Sequence, residues 1–229
     1  MDPFVRLDQA EQQGAIPKAI AKKTRSRVAY LTAAVQRVEH ASGLPYPPYY
    51  IEPVLPVSGS GVEFGQMGVL FARVIPTTVT GSLSIIVQFT AALVALGSKG
   101  TIEAVTAHEF THYVDLVRRV SKTNLLSDER SSTLFESGHA DPERTVPPKL
   151  LFNDKALVGL ISRKFKGGLT DEKLNKVVEE KWIAKGLPMR SVGPDENVAR
   201  VDMASVAKTS FDPRVLQKIS QMEDKMMTP

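Results

Sequence analysis

The sequence predicts an α+β protein built on a mixed sheet, and three observations carry that prediction. Strand-like and helix-like segments alternate through the first half, while helical patterns dominate the second. Leu83, Ile85 and Val87 fall on alternate positions, which is strand period. Residues 101–120 form a helical stretch with apolar residues nearly all round it, which belongs inside a fold and not on its surface.

The polar opening, residues 1–15, reads as a loose arm. From about Pro17 to Ala41 the spacing of Val28, Leu31, Val35 and Val38 predicts a helix with one apolar face. Gly43 ends it. Pro45, Pro47 and Pro48 then exclude helix and lead into a strand near 50–54. The glycine-rich run after residue 57 reads as loop, with a strand at 67–75 and a second at 82–88. Phe89 to Leu96 suits a short helix. Thr101 is the expected cap of the long apolar helix, which runs to about Val120, and Glu103 suits its first turn. Ser127 caps a further helix that the prolines at 142, 147 and 148 bring to an end. Helices follow at about 154–165 and 171–185, the latter capped by Thr170 and closed by Gly186 and Pro188. Residues 186–211 are mixed, with a strand expected near 198–201, and a last helix opens at Asp212-Pro213. No linker divides the chain, so one domain is expected, with a mostly helical part from 145 to 229.

Composition narrows the chemistry. The 229 residues are 42% hydrophobic and 24% charged, a globular balance. With no cysteine, disulfides, thiolate metal sites, iron–sulfur clusters and cysteine nucleophiles are excluded. Net charge is only +4, a weak pull on polyanions. Lys22, Lys23, Arg25 and Arg27 front the first long helix, but no aromatics interleave with them, so they read as a solvated face and nucleic acid is not an expected partner. The start lacks a basic segment followed by an apolar run, and no apolar stretch is long enough to span a bilayer. The expectation is a cytoplasmic protein with no membrane partner.

The informative segment is Val105-Thr-Ala-His108-Glu109-Phe-Thr-His112-Tyr-Val114. Histidines four apart share one helix face, so both imidazoles reach a single metal ion. Glu109 projects beside them, within reach of a water at that ion. Neutral imidazole suits zinc. The plain alternative is a pair of hydrogen-bonded core histidines. Polar groups on an otherwise apolar, buried helix are costly without partners, and a metal resolves that cost.

This segment resembles the active-site helix of the zincin metallopeptidases, including its uncharged flanks. The resemblance covers about residues 66–141. It implies a zincin-like fold, one Zn2+ per chain, His108 and His112 as zinc ligands, Glu109 as general base, and a peptide or protein substrate. It also implies an upstream edge strand for the substrate, a role that falls to 82–88. The metzincin continuation is absent, because Asp115 and Arg118 stand where its glycine and histidine belong. A gluzincin-like third ligand from the next helix fits better.

The candidates are Glu129, Glu136, His139 and Asp141. His112 lies eight residues before the expected helix end, about 12 Å at 1.5 Å per residue. An antiparallel helix starting near Asp128 brings Glu136 level with it. Glu129 suits the N-terminus of its own helix, yet Glu129-Arg-Ser-Ser-Thr133 resembles the ligand segment of several gluzincins. Glu136 is taken first and Glu129 is kept as the alternative. His139 and Asp141 are placed around the ligands, orienting an imidazole or stabilising an oxyanion; the plain reading of His139 is a charge at a helix C-terminus. The aminopeptidase G-x-M-E-N motif is missing, with Gly65-Gln-Met-Gly68 no substitute, which favours an endopeptidase.

Two rival readings stand beside this one. Glu109-x-x-His112 and Glu136-x-x-His139, joined by Glu39 and Glu179, make the donor set of a di-iron carboxylate oxidase or iron handler. A catalytically silent zincin fold used for binding is the other. Tyr113 and Trp182 read as core, Asp115 as the partner of Arg118 or Arg119, and Glu179, Glu180 and Lys181 as a solvated face.

Overall fold

A computed structural model describes residues 2–58, 68–122, 145–166, 168–192 and 203–227. The chain is a mixed α+β protein. The N-terminal residues are not loose: Val5–Gln12 form helix α1, with Leu7 and Ala10 buried. Two apolar residues three apart suffice to dock this short polar helix. Arg6 adds an ion pair to Glu52 at 2.6 Å. Helix α2, Lys18–Ser42, follows, and its apolar face buries Leu31, Ala34, Val35 and Val38. Gly43 ends it in the left-handed region at φ 71°, where a residue without a Cβ is favoured.

Strands β1 (Tyr49–Glu52) and β2 (Leu55–Ser58) come next, then β3 (Gly68–Val69), β4 (Ala72–Val79) and β5 (Ser82–Thr90). The strand expected at 67–75 is thus two pieces, and the second runs four residues further. The first sheet has the order β1-β5-β4, with β5 parallel to β1 and antiparallel to β4. This corrects the expected edge role of 82–88: β5 is central in the described sheet, and its burial matches, with residues 85–90 all buried. The second sheet has the order β3-β2-β6, where β6 is Met189–Val192 and runs parallel to β2. Four residues between a proline and a polar stretch of sequence gave no periodic signal for β6. The strand expected near 198–201 lies outside the described residues.

Thr90 caps the short helix α3, Ala91–Leu96, accepting from the Leu93 amide at 3.2 Å. The long helix α4 spans Lys99–Lys122. It starts two residues earlier than Thr101, because Ser98 takes the capping role and accepts from the Thr101 amide at 3.1 Å. The helix expected from Ser127 lies outside the described residues. Helices α5 (Pro148–Leu151), α6 (Lys155–Lys164), α7 (Glu172–Val178), α8 (Met203–Ala207) and α9 (Pro213–Met227) complete the order. Asp171, not Thr170, caps α7, accepting from the Leu174 amide at 3.1 Å. A wider π turn, Glu179–Ile183, extends α7 and sinks Trp182 into the core, where its indole N–H donates to the Pro188 carbonyl at 3.1 Å.

Helix α4 lies inside. Ile102, Ala104, Ala107, Phe110, Val114 and Val117 are all fully buried. Arg37 of α2 fixes its position, pairing at 2.8 Å with Glu103 of α4 and at 2.8 Å with Asp154, the cap of α6. No helix among the described residues is long and apolar enough to cross a membrane.

Candidate metal centre

Between Ala104 and Val117 every position of α4 is buried except His108 and His112. The helix therefore opens to its surroundings only along the stripe that bears its two imidazoles. Residues four apart lie one turn above each other on one face. The side chains meet at Nε2, with the two nitrogens 3.1 Å apart and the rings nearly perpendicular, 87° between planes.

That approach has two chemical readings. Without a metal, one neutral imidazole donates Nε2–H to the other. With a metal, both Nε2 atoms bind it. Bonds of about 2.0–2.1 Å to one ion would place nitrogens 3.1 Å apart at an angle of roughly 100°, close to tetrahedral. The two imidazoles are thus spaced as two ligands of one zinc ion would be. Burial, with the charge of His112 second, pushes the His108 pKa down from 6.5 to about 3, so its imidazole is the neutral, ligating form at physiological pH.

Glu109 sits on the flank of the same turn and is 7% exposed. Among the described residues it has no hydrogen bond and no ion pair. Burial raises its carboxyl from 4.5 to about 8. That shift moves the carboxyl toward neutrality, the range suited to an acid–base group. Its ionisable neighbour is Tyr46, partly buried, whose hydroxyl is pushed well above its usual range first by burial and then by the Glu109 charge.

Two residues of the site gave no signal in the sequence. Tyr46 belongs to the proline-rich entry to β1, where only its extended backbone was legible. Phe165 ends α6, and its ring stacks on His108 with centroids 3.8 Å apart and planes 16° from parallel. Both contacts cross long stretches of chain, which local patterns do not encode.

The candidates for a third ligand, Glu136 and Glu129, lie outside the described residues, as do His139 and Asp141. Among the described residues no three histidine, aspartate or glutamate side chains gather as a donor set. Of the predicted set the structure brings the rings of His108 and His112 together, with Glu109 next to His108 in the helix. Asp115 pairs with Arg118 at 2.7 Å and with Arg119 at 2.9 Å, as its spacing indicates. Tyr113 is buried against Phe110.

Other groups weighed for function are placed elsewhere. Glu39 accepts from the Tyr46 amide at 2.9 Å, and Glu179 is exposed on the π turn. At the basic front of α2, Arg25 pairs with Asp8 and Glu11, both at 2.5 Å, and Arg27 donates to the carbonyls of Val94 and Gly97. Two of those four cations are thereby spent inside the fold. Comparison with protein-family models, with curated proteins and with solved structures finds no match.

Proposed function

We propose that the chain is a zinc-dependent peptidase, an endopeptidase of the zincin type. The observation that carries this is the meeting of the His108 and His112 Nε2 atoms at 3.1 Å where the helix is open between Ala104 and Val117, with Glu109 buried on the next position of the same helix. His108 and His112 would hold the ion together with Glu136, or with Glu129 as the alternative. When bound, zinc supplies a Lewis acid that acidifies water and polarises a carbonyl.

The chain's own groups do the rest. His108 and His112 present their ring nitrogens from a rigid helix, so little reorganisation is needed on binding. Glu109 accepts a proton from the attacking water and returns it to the departing amine nitrogen. Its burial serves the second half of that cycle, because a carboxyl that binds protons tightly in a dry site is a competent acid at neutral pH.

Two measurements test the reading. Elemental analysis of the purified, chelator-stripped and zinc-reloaded protein should count about one zinc per chain. Glu109→Ala should retain that zinc and lose peptide hydrolysis by on the order of a hundred-fold or more. Absence of zinc, two irons per chain, or full activity in Glu109→Ala would overturn it.

A further inference from the structure

We propose that Phe165 is a positioning residue for the metal site, holding the His108 ring in the plane that presents Nε2 to the ion. The inference rests on the zinc-peptidase reading above. A metal-bound imidazole is ordinarily oriented by a hydrogen bond from its other ring nitrogen. Among the described residues the only polar contact of the His108 ring is Nε2 to Nε2 of His112. The torsion that turns an imidazole about its Cβ–Cγ bond is soft. The flat face of Phe165 lies 3.8 Å away and 16° from parallel, placed to hold the plane.

Phe165 is itself held. Its amide makes the last bond of α6, to the Ile161 carbonyl at 2.8 Å. The chain then folds back on itself, pairing Phe165 with Leu169 as an antiparallel bridge. The Thr170 amide donates to the Lys164 carbonyl at 2.7 Å, and its hydroxyl donates to the same carbonyl at 2.9 Å. Lys164 reaches Asp171 at 2.7 Å, and Asp171 accepts from the Thr101 hydroxyl. Thr101 lies on α4 two turns before His108, on the same face of the helix. The turn that carries the aromatic ring is thus tied to the helix that carries the histidine. The pair is fixed at both ends, and the stack holds the ring plane as such a hydrogen bond would.

The test uses the full chain as wild type, Phe165→Ala, Phe165→Leu and Phe165→Tyr. Zinc affinity is measured by competition with a chromophoric chelator, and the His108 ring protons are followed by NMR in the metal-free protein. Leucine preserves apolar packing without a flat face, so it remains informative should alanine impair folding. The expected result is a loss of zinc affinity of about ten-fold or more in the alanine and leucine variants, with wild-type affinity kept by tyrosine. The upfield ring-current shift of the His108 protons should disappear in the same two variants. Wild-type zinc affinity in both the alanine and the leucine variant would overturn the positioning role while leaving the peptidase reading intact. A wild-type protein that takes no zinc would overturn both, and the two failures are told apart at the wild type.

Discussion

The hydroxyl of Tyr46 donates to the main-chain carbonyl of Thr106 at 2.9 Å, two residues before His108. The Tyr46 ring lies against Phe110 of α4 at 5.3 Å and against Phe89 of β5 at 6.5 Å, stacked on both. One side chain from the proline-rich turn therefore joins the sheet to the helix of the candidate centre. Tyr46→Phe keeps both stacks and removes the hydrogen bond. It should cost about 1 kcal/mol of unfolding free energy. Tyr46→Ala removes the ring as well and should cost about 3–5 kcal/mol. Urea unfolding of the two variants measures the difference, and equal losses would show that the rings contribute nothing.

The metal-free protein should be most stable in mildly acidic solution. His108 binds protons less readily folded than unfolded, since its pKa falls from 6.5 to about 3. Its contribution is complete above 6.5 and is lost as pH falls toward 3. Glu109 is the opposite case, raised from 4.5 to about 8. Its contribution is complete below 4.5 and is lost as pH rises through 8. The two slopes oppose each other between 4.5 and 6.5, giving a plateau there, with a fall on each side of up to about 1.4 kcal/mol per pH unit. Glu109→Gln should flatten the alkaline side and leave the acid side. Thermal unfolding from pH 4 to 9 reads both, and an alkaline fall unchanged in Glu109→Gln would contradict the assignment.

Asp115 should matter for stability and not for metal. Its side chain is 3% exposed between Arg118 and Arg119, which are 31% and 17% exposed. Asp115→Asn removes the charge that both guanidiniums face. The cost should be about 2 kcal/mol, below that of breaking a wholly buried pair, because the arginines stay partly hydrated. Denaturant midpoints give the loss, and elemental analysis of the variant should show the zinc content of the wild type.

Much of this arrangement was legible in the sequence because it is written in short-range periods. The spacing of His108 and His112 places them on one face, and the apolar positions around them place that face on a buried helix. The alternation at Leu83, Ile85 and Val87 marked β5, and Asp212-Pro213 marked the start of α9. Where the reading slipped, a contact distant in sequence decided the outcome. Val5–Gln12 looked loose because its low apolar content conceals two docking residues, Leu7 and Ala10. Thr101 looked like a cap because Ser98 and Thr101 both carry hydroxyls, and the structure uses the second to reach Asp171 instead. The pairing with β1 that makes β5 central, and the stack of Phe165 on His108, depend on residues 38 and 57 positions away, beyond any window that periodicity samples.

The parallel pairing of β2 with β6 sets Leu55 opposite Met189 and Ser58 opposite Val192. This register closes more than half the chain into a single loop. Ends so far apart meet only at a considerable cost in chain entropy, and that cost is recovered only once the intervening helices are in place. The folding reaction should accordingly be slow and cooperative, with no early intermediate in which the N-terminal half stands complete. A nascent chain cut before residue 189 leaves β2 without its parallel partner, exposing backbone donors and acceptors that invite pairing with another chain. The helical second half is therefore no detachable appendage, because the first half needs it to finish its own sheet.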